Sequence, residues 1–241
     1  MSTMAHRESI DAESPDVKLS VIVPTFNEEA VIAETLRRAV EVLAPFELIV
    51  ADGCSADATA AHARPYAQVL ALSMTRGAAL NHAAAVATGD VLVFLHADTM
   101  LPSRAASAIA EALSEADVIG GAFRLRLDHP GWLAALVSYN VNLRSSLLNS
   151  FFGDQAMFVR RDVFERAGGF KDWSVMEDLD ILPRLRRHGR LALLDEEVVT
   201  SARRHLRSGW WATIGTIWIM TLLNRLGVSG HAMTRWYKPQ R

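Results

Sequence analysis

A single cysteine, Cys54, in 241 residues excludes an internal disulfide framework and a cysteine-built zinc cluster. No GxGxxG follows the first strand-like run, which argues against a bound dinucleotide, and no GxxxxGKS/T is present, which argues against a P-loop nucleotidase. GVSG at 227–230 lacks the spacing and the preceding strand of a hydrolase nucleophile elbow. The eight histidines are scattered rather than paired at metal-ligand spacing. Long apolar runs are missing too. The most apolar window, WWATIGTIWIMTLL (210–223), would form a helix about 21 Å long at roughly 1.5 Å per residue, against a hydrocarbon core of about 30 Å. It is too short to span. Its three tryptophans (Trp210, Trp211, Trp218), flanked by arginines, suit a helix lying in a membrane interface or packed in a protein groove.

Acidic residues are absent from Val198 onward, where seven basic ones stand: Arg203, Arg204, Arg207, Arg225, Arg235, Lys238 and Arg241. The whole chain carries −2 with those seven included, so the other 197 residues stand at −9. Such polarity suggests that the C-terminal part meets an anionic surface or phosphate. Nucleic acid is not expected, because the basic end has no aromatics interleaved on strands to stack bases. The polar opening MSTMAHRESIDAESPDVK shows no secretory signal, so the expected location is the cytoplasm, peripheral to the inner membrane face where the C-terminal segment meets lipid. Residues 1–17 read as a loose tail and 206–241 as a basic, Trp-rich helical extension.

Between these ends, four apolar runs recur: LSVIVP (19–24), FELIVAD (46–52), QVLALS (68–73) and DVLVFLHAD (90–98). Between the first two, Val31, Ile32, Leu36, Val40 and Leu43 keep one helical face apolar, with Asn27 placed to help cap it. Ala-rich stretches at 58–63 and 77–87 are good helix formers. The series βαβαβαβ predicts a mostly parallel, Rossmann-like sheet flanked by helices. After Asp98 the regularity changes. A helix over 102–112 leads to VIGGAFRLRL, which alternates like a strand, then to the mixed apolar segment 131–152, a short strand at 155–161, a helix start at DVFERAGGF, the acidic cluster MEDLD and RLRRHGRLALL. No Pro/Gly/Ser linker intervenes, so one domain with an elaborated second half is expected.

Ligands of such sheets sit beyond the carboxyl ends of the strands, where strand order reverses. Pro24, Thr25, Asn27 and Glu28 follow the first run, Asp52 ends the second, and His96 and Asp98 end the fourth. If strand geometry persists, His96 and Asp98 face one side, and a carboxylate there suits Mg²⁺ or Mn²⁺ holding substrate phosphates. Taken alone, an aspartate after a strand is more often a loop cap.

In order, TFNEE, ADGCSAD, TRGAALNHAAAVATGD, LHADT and MEDLDILPRLRRHGR together resemble glycosyltransferase family 2 over about residues 18–205, and especially a subgroup of small bacterial members known as radical-SAM/selenodomain-associated transferases, through FLHADT and TSARR. The resemblance implies a glycosyltransferase A-type α/β fold, a nucleotide-diphosphate sugar donor and inversion at the anomeric carbon. It implies that Pro24, Thr25, Asn27 and Glu28 line the nucleoside, that Asp52 hydrogen-bonds base or ribose, and that Arg76 reaches the nucleotide. LHADT takes the place of the family's DxD metal motif, with Asp98, beside His96, on Mg²⁺ or Mn²⁺. MED takes the place of its ED pair, with Asp178 as catalytic base beside Glu177. GDQ resembles the acceptor-side turn, bringing Asp154 and Gln155 to acceptor or donor sugar, and Arg203 and Arg204 match an arginine-bearing loop near the diphosphate.

Two residues depart from the pattern. His96 stands for the first aspartate of DxD, leaving the metal one carboxylate, and Cys54 stands where relatives usually have glycine. The acceptor is an unspecified hydroxyl or a lipid phosphate, the latter implying polyprenyl-phosphate transfer at the membrane face. From another class, a non-catalytic nucleotide-sugar-binding module remains open. Pocket shape, set by residues such as Arg124, Asn140 and Phe152, would decide specificity.

Overall fold

A computed structural model describes residues 17–43, 46–228 and 230–233. The expected loose tail at 1–17 lies outside them except for Val17, as do Arg235, Lys238 and Arg241 of the basic end.

The four apolar runs form β1 (Leu19–Thr25), β2 (Phe46–Asp52), β3 (Gln68–Ala71) and β4 (Val91–Phe94). All four are parallel, in the order β3-β2-β1-β4. Their near-continuous apolar character follows from burial on both faces: Val21 and Val23 pack into one core layer while Ile22 enters the other. α1 (Ile32–Leu43), α2 (Thr59–Ala63) and α3 (Arg76–Val86) make the crossovers. The buried stripe of α1 is Ile32, Thr35, Leu36, Ala39 and Leu43, at helical spacing, whereas Val40, expected on that face, points outward.

The chain passes from β1 to β2 and β3 on one side, then returns to place β4 on the other. The gap between the carboxyl ends of β1 and β4 is therefore the switch point at which strand order reverses.

The second half extends the same sheet. After β5 (Thr99–Met100) and α4 (Ala105–Ser114) come β6 (Val118–Leu127), α5 (Trp132–Leu148), a 3-10 turn (Gly153–Gln155), β7 (Met157–Arg160), α6 (Arg161–Arg166), α7 (Glu177–Leu185) and β8 (Arg190–Thr200). β7 runs antiparallel to β4 and β6, β8 is parallel to β6, and β5 closes the edge against β8. One eight-stranded sheet thus runs through both halves.

The last described elements are α8 (Arg203–Ser208), α9 (Trp210–Arg225) and α10 (Gly230–Met233). Trp210 and Ile214 pack on a small core of Leu125, Leu127, Ala134, Val137, Val141 and Ala202, while Met220 meets Val175 beside the start of α7. α9 therefore runs from the open end of β6 and α5 to the loop preceding α7. No helix among the described residues is long and apolar enough to cross a membrane.

Candidate active site

The strand that ends in LHADT is shorter than its apolar run. β4 stops at Phe94, and a turn in which Thr99 N–H donates to His96 O (3.2 Å) intervenes before β5. Strand geometry does not persist, so the alternation that would have put His96 and Asp98 on one face does not apply. His96 turns toward α3 and Asp98 toward α8, each to a different arginine.

α3 begins at Arg76, capped by Thr75, whose hydroxyl accepts from Ala78 N–H (3.3 Å). Gly77 allows this helix end to lie against the loop before α7, because a Cβ there would stand 2.0 Å from Lys171 O. The Arg76 guanidinium then lies between two partners. It contacts His96 Nε2, and its Nε stands 2.7 Å from Glu177 Oε1 as an ion pair out of line for a hydrogen bond. Burial and the adjoining Arg76 charge hold His96 well below its ordinary value, so the ring is neutral. Burial pushes Glu177 above the usual carboxylate range, Arg76 opposes the shift, and nearby Asp178 adds to it.

Met176, at φ 62°, turns the chain into α7, whose first two residues are Glu177 and Asp178. Asp178 Oδ1 accepts from Leu179 N–H (2.8 Å) and Oδ2 from Gly153 N–H (2.7 Å), so the carboxylate is fixed from two sides. Each oxygen keeps a further acceptor position. Gly153 sits so close to His96 that a Cβ would lie 2.6 Å from Nε2. Pro24, Arg76, His96, Gly153, Glu177 and Asp178 enclose a cavity of about 10 Å³, room for a single water.

The GDQ turn divides its duties. Gln155 is fully buried: its Oε1 accepts from Ser145 Oγ (3.0 Å), Phe152 N–H (3.2 Å) and Arg144 (3.5 Å), and its Nε2 donates to Phe123 O (3.0 Å). The expected sugar contact by Gln155 is thus corrected: with every polar atom engaged inside the protein, it braces the turn. Asp154, by contrast, has an Oδ1 sealed from solvent without a hydrogen-bond partner. Burial pushes it up to about 6; Arg144 and Arg204 pull down, and Asp178 and Asp98 push further up. Those mutual influences bring Asp98, Asp154, Asp178, Arg144 and Arg204 into one electrostatic cluster.

At the other end of the crevice, one Arg203 nitrogen donates to Glu28 Oε2 (2.8 Å) and Asp98 Oδ2 (3.2 Å), clamping the loop after β1 to the turn after β4. The register of β1 and β2 places Thr25 beside Asp52. Asp52 is 2% exposed, and its carboxylate accepts from Thr25 Oγ1 (3.1 Å), Ser55 N–H (3.0 Å) and Ser55 Oγ (2.5 Å). As placed, it holds the loop through Oδ1, which takes both hydroxyls, while Oδ2 takes the Ser55 N–H and keeps a further acceptor position. Asn27 does not cap α1: with φ 54° it presents its amide oxygen to Ala56 N–H (2.9 Å), while Glu28 O receives the first N–H groups of the helix. Cys54 holds a left-handed turn with φ 63°, at a cost of roughly 1–2 kcal/mol.

Arg144 is the site residue that sequence reasoning missed. The available signal was its position as the sole charge in the 17 residues of α5.

An α/β sheet with acids and arginines at its switch point, continued by antiparallel strands that deliver a second acidic pair, defines a glycosyltransferase A-type fold, and solved glycosyltransferases share it. The chain belongs to glycosyl transferase family 2, whose model matches residues 20–168. Glycosyltransferase AglD of Haloferax volcanii is 30% identical over 72% of this chain and 29% of its own length. An undecaprenyl-phosphate 4-deoxy-4-formamido-L-arabinose transferase of Sodalis glossinidius is 31% identical over 52% of this chain and 42% of its own. The chain spans less than half the length of these curated relatives. Mannosyltransferase PcManGT from Pyrobaculum calidifontis, in complex with GDP-Man and Mn²⁺, superposes with a TM-score of 0.63 at 24% identity, over 80% of this chain and 59% of that one. Glucosyl-3-phosphoglycerate synthase from Mycobacterium tuberculosis, in complex with phosphoglyceric acid, gives 0.60 at 20% identity, over 89% and 81%.

Proposed function

We propose that this enzyme moves a sugar, with inversion, from a nucleotide-diphosphate sugar to an acceptor hydroxyl, with Asp178 as the base. The observation that carries the reading is the convergence of Asp98, Asp154 and Asp178 with Arg76, Arg203 and Arg204 at the switch point of the sheet. Asp178, held by two backbone N–H groups, is aimed by the fold rather than by a mobile side chain. It takes the acceptor proton as the acceptor oxygen bonds to the anomeric carbon, while the bond from that carbon to the diphosphate breaks and its electron pair leaves with the diphosphate. The arginines meet the negative charge that develops there.

A divalent ion is the expected companion of the diphosphate. Among the described residues no three His, Cys, Asp or Glu side chains gather tightly enough to hold a metal unaided. Asp98, with Oδ2 on Arg203 and Oδ1 left over, fits the single-carboxylate pattern in which Mg²⁺ or Mn²⁺ takes its other ligands from phosphate and water. His96 Nε2 is directed to Arg76, so the geometry favours Asp98 over His96 as ligand. Such an ion would stabilise charge on the leaving diphosphate. Pro24 lines the inner cavity, and Thr25, Asn27 and Glu28 shape the adjoining loops on the nucleoside side.

Asp178→Asn tests the reading. Transfer should fall by about 10²–10⁴-fold with donor affinity largely kept; normal turnover in the variant would refute the base. Any transfer above background in the wild type excludes a purely binding module. A lipid-phosphate acceptor at a membrane face is the second reading, favoured by the exposed Trp211, Trp218, Ile219 and Leu222 of α9 and by undecaprenyl-phosphate transferases among the relatives. Association with anionic vesicles is its measurement.

A further inference from the structure

We propose that Glu28 and Asp98 together make the divalent-cation site, and that Arg203 holds it as an exchangeable counter-cation, giving up its place to the ion and turning to the donor diphosphate. The inference rests on the transferase reading and adds to it a second carboxylate and an arginine that moves.

His96 stands in place of the first aspartate of DxD, and its Nε2 is directed to Arg76, so the turn after β4 offers a cation the carboxylate of Asp98 alone. A second acid reaches the same point from the loop after β1. Glu28 Oε2 and Asp98 Oδ2 both accept from one nitrogen, Nη2 of Arg203, at 2.8 and 3.2 Å. Mg²⁺ binds oxygen at about 2.1 Å and is held by one or two carboxylates, with phosphate and water completing its shell. The two side chains need close in by only about 1 Å each to hold such an ion where the nitrogen lies. At 27% and 26% exposure they have room to do so. Their backbones are pinned: Glu28 N–H donates to Thr59 Oγ1 (2.7 Å), and Asp98 O accepts from Ser201 N–H (3.2 Å).

Arg203 holds the pair in a form that favours exchange. An arginine grips a carboxylate most strongly when two N–H groups meet its two oxygens. Here one nitrogen serves two acids, and each acid keeps its other oxygen, Glu28 Oε1 and Asp98 Oδ1, outside the contact. The Arg203 side chain is 38% exposed, so both ion pairs are screened and weak, and it can swing without uncovering a core. Its backbone stays in place: Arg203 opens α8, its N–H donates to Ser201 Oγ (3.3 Å), and Ala202 N–H donates to Asp128 Oδ1 (2.7 Å). Charge points the same way. A single guanidinium leaves Glu28 and Asp98 one positive charge short, and Asp154, whose sealed Oδ1 has no hydrogen-bond partner, adds a further acid within electrostatic reach of Asp98. A dication would neutralise Glu28 and Asp98 together and free the Arg203 charge for the diphosphate, where negative charge develops.

Mn²⁺ binding, read from the paramagnetic resonance of the free ion, and calorimetric titration of GDP and UDP test this in the 241-residue chain. Arg203→Gln should bind Mn²⁺ alone about three- to thirtyfold more tightly than wild type, since two exposed ion pairs no longer compete. The same variant should bind nucleotide with Mn²⁺ at least about threefold more weakly, having lost a charge-assisted contact to phosphate. Local damage would weaken both, so the opposite signs are the signature of exchange. Adding Glu28→Gln or Asp98→Asn to Arg203→Gln should abolish the Mn²⁺ gain. Glu28→Gln alone should weaken nucleotide-supported Mn²⁺ binding by at least about threefold, and it carries the test if Arg203→Gln does not fold. Mn²⁺ affinity that folded Arg203→Gln leaves unchanged or lowers overturns the inference, as does a gain that survives Glu28→Gln, or nucleotide binding that Arg203→Gln leaves intact. Nucleotide binding by wild type beside any of these results spares the transferase reading; its absence overturns that reading and this inference with it.

Discussion

Asp154 carries a cost that can be measured without knowing any substrate. Burial lifts its carboxyl from 3.8 to about 6; Arg144 and Arg204 outweigh the repulsion from Asp178 and Asp98 but do not overcome the burial. A carboxyl raised in the folded state contributes its full stability below its unfolded value and loses it as pH climbs through the folded one. The window here is roughly pH 4 to 6. About two units at 1.36 kcal/mol each means that ionised Asp154 costs about 3 kcal/mol at pH 7, of which about 1 kcal/mol is already felt at pH 4.5. Asp154→Asn removes the titration while keeping the shape. The new amide adds donors that the turn does not satisfy, but that penalty is the same at every pH. The readout is therefore the slope: relative to wild type, the variant should gain about 2 kcal/mol between pH 4.5 and 7. For a chain of this length that is about 4 °C in Tm. Paired thermal and urea denaturation across the range measures it, and Glu177, also raised by burial, is present in both proteins and cancels from the difference. A constant offset between the two proteins, or a variant that loses ground as pH rises, would refute the placement of a buried carboxyl at this turn.

Asp98→Ala should weaken donor binding by at least about tenfold and remove its dependence on Mg²⁺ or Mn²⁺, read by titrating metal at fixed nucleotide sugar; an unchanged metal titration discards Asp98 as the ligand. The 241-residue chain should float with anionic vesicles and a chain ended at Ser208 should not, because the exposed Trp211, Trp218, Ile219 and Leu222 are then gone. Equal flotation of the two would count against α9 as the lipid contact.

The parallel half was legible because its physics is local. Strands buried on both faces must be apolar almost throughout, so LSVIVP, FELIVAD and VLVFLHAD announced the sheet and the polar residues at its carboxyl edge. The antiparallel half was less legible because its pairings span long separations: β8 lies beside β6, and β5 finds β8 a hundred residues on. Which carboxylates face a ligand was also hidden, since Asp52, Asp98, Asp154 and Asp178 look alike in a string. Their difference lies in what the fold spends on each: three hydrogen bonds that occupy Asp52 in its own loop, two backbone donors that aim Asp178, one arginine shared by Asp98 and Glu28, and nothing for Asp154 Oδ1.

Arg144 sharpens the same point. In sequence it is one charge in an apolar stretch, easily taken for a surface residue on a helix whose polar face has been forgotten. In the fold it is buried under Phe152, and among the described residues no carboxylate stands within ion-pair distance of it. Natural cores rarely tolerate an unmatched guanidinium, and this one lies beside the turn proposed to be catalytic. The same reasoning applies to Asp154. A buried cation and a buried acid, close enough to influence each other yet outside ion-pair distance, each cost stability that only part of the surrounding hydrogen bonding offsets.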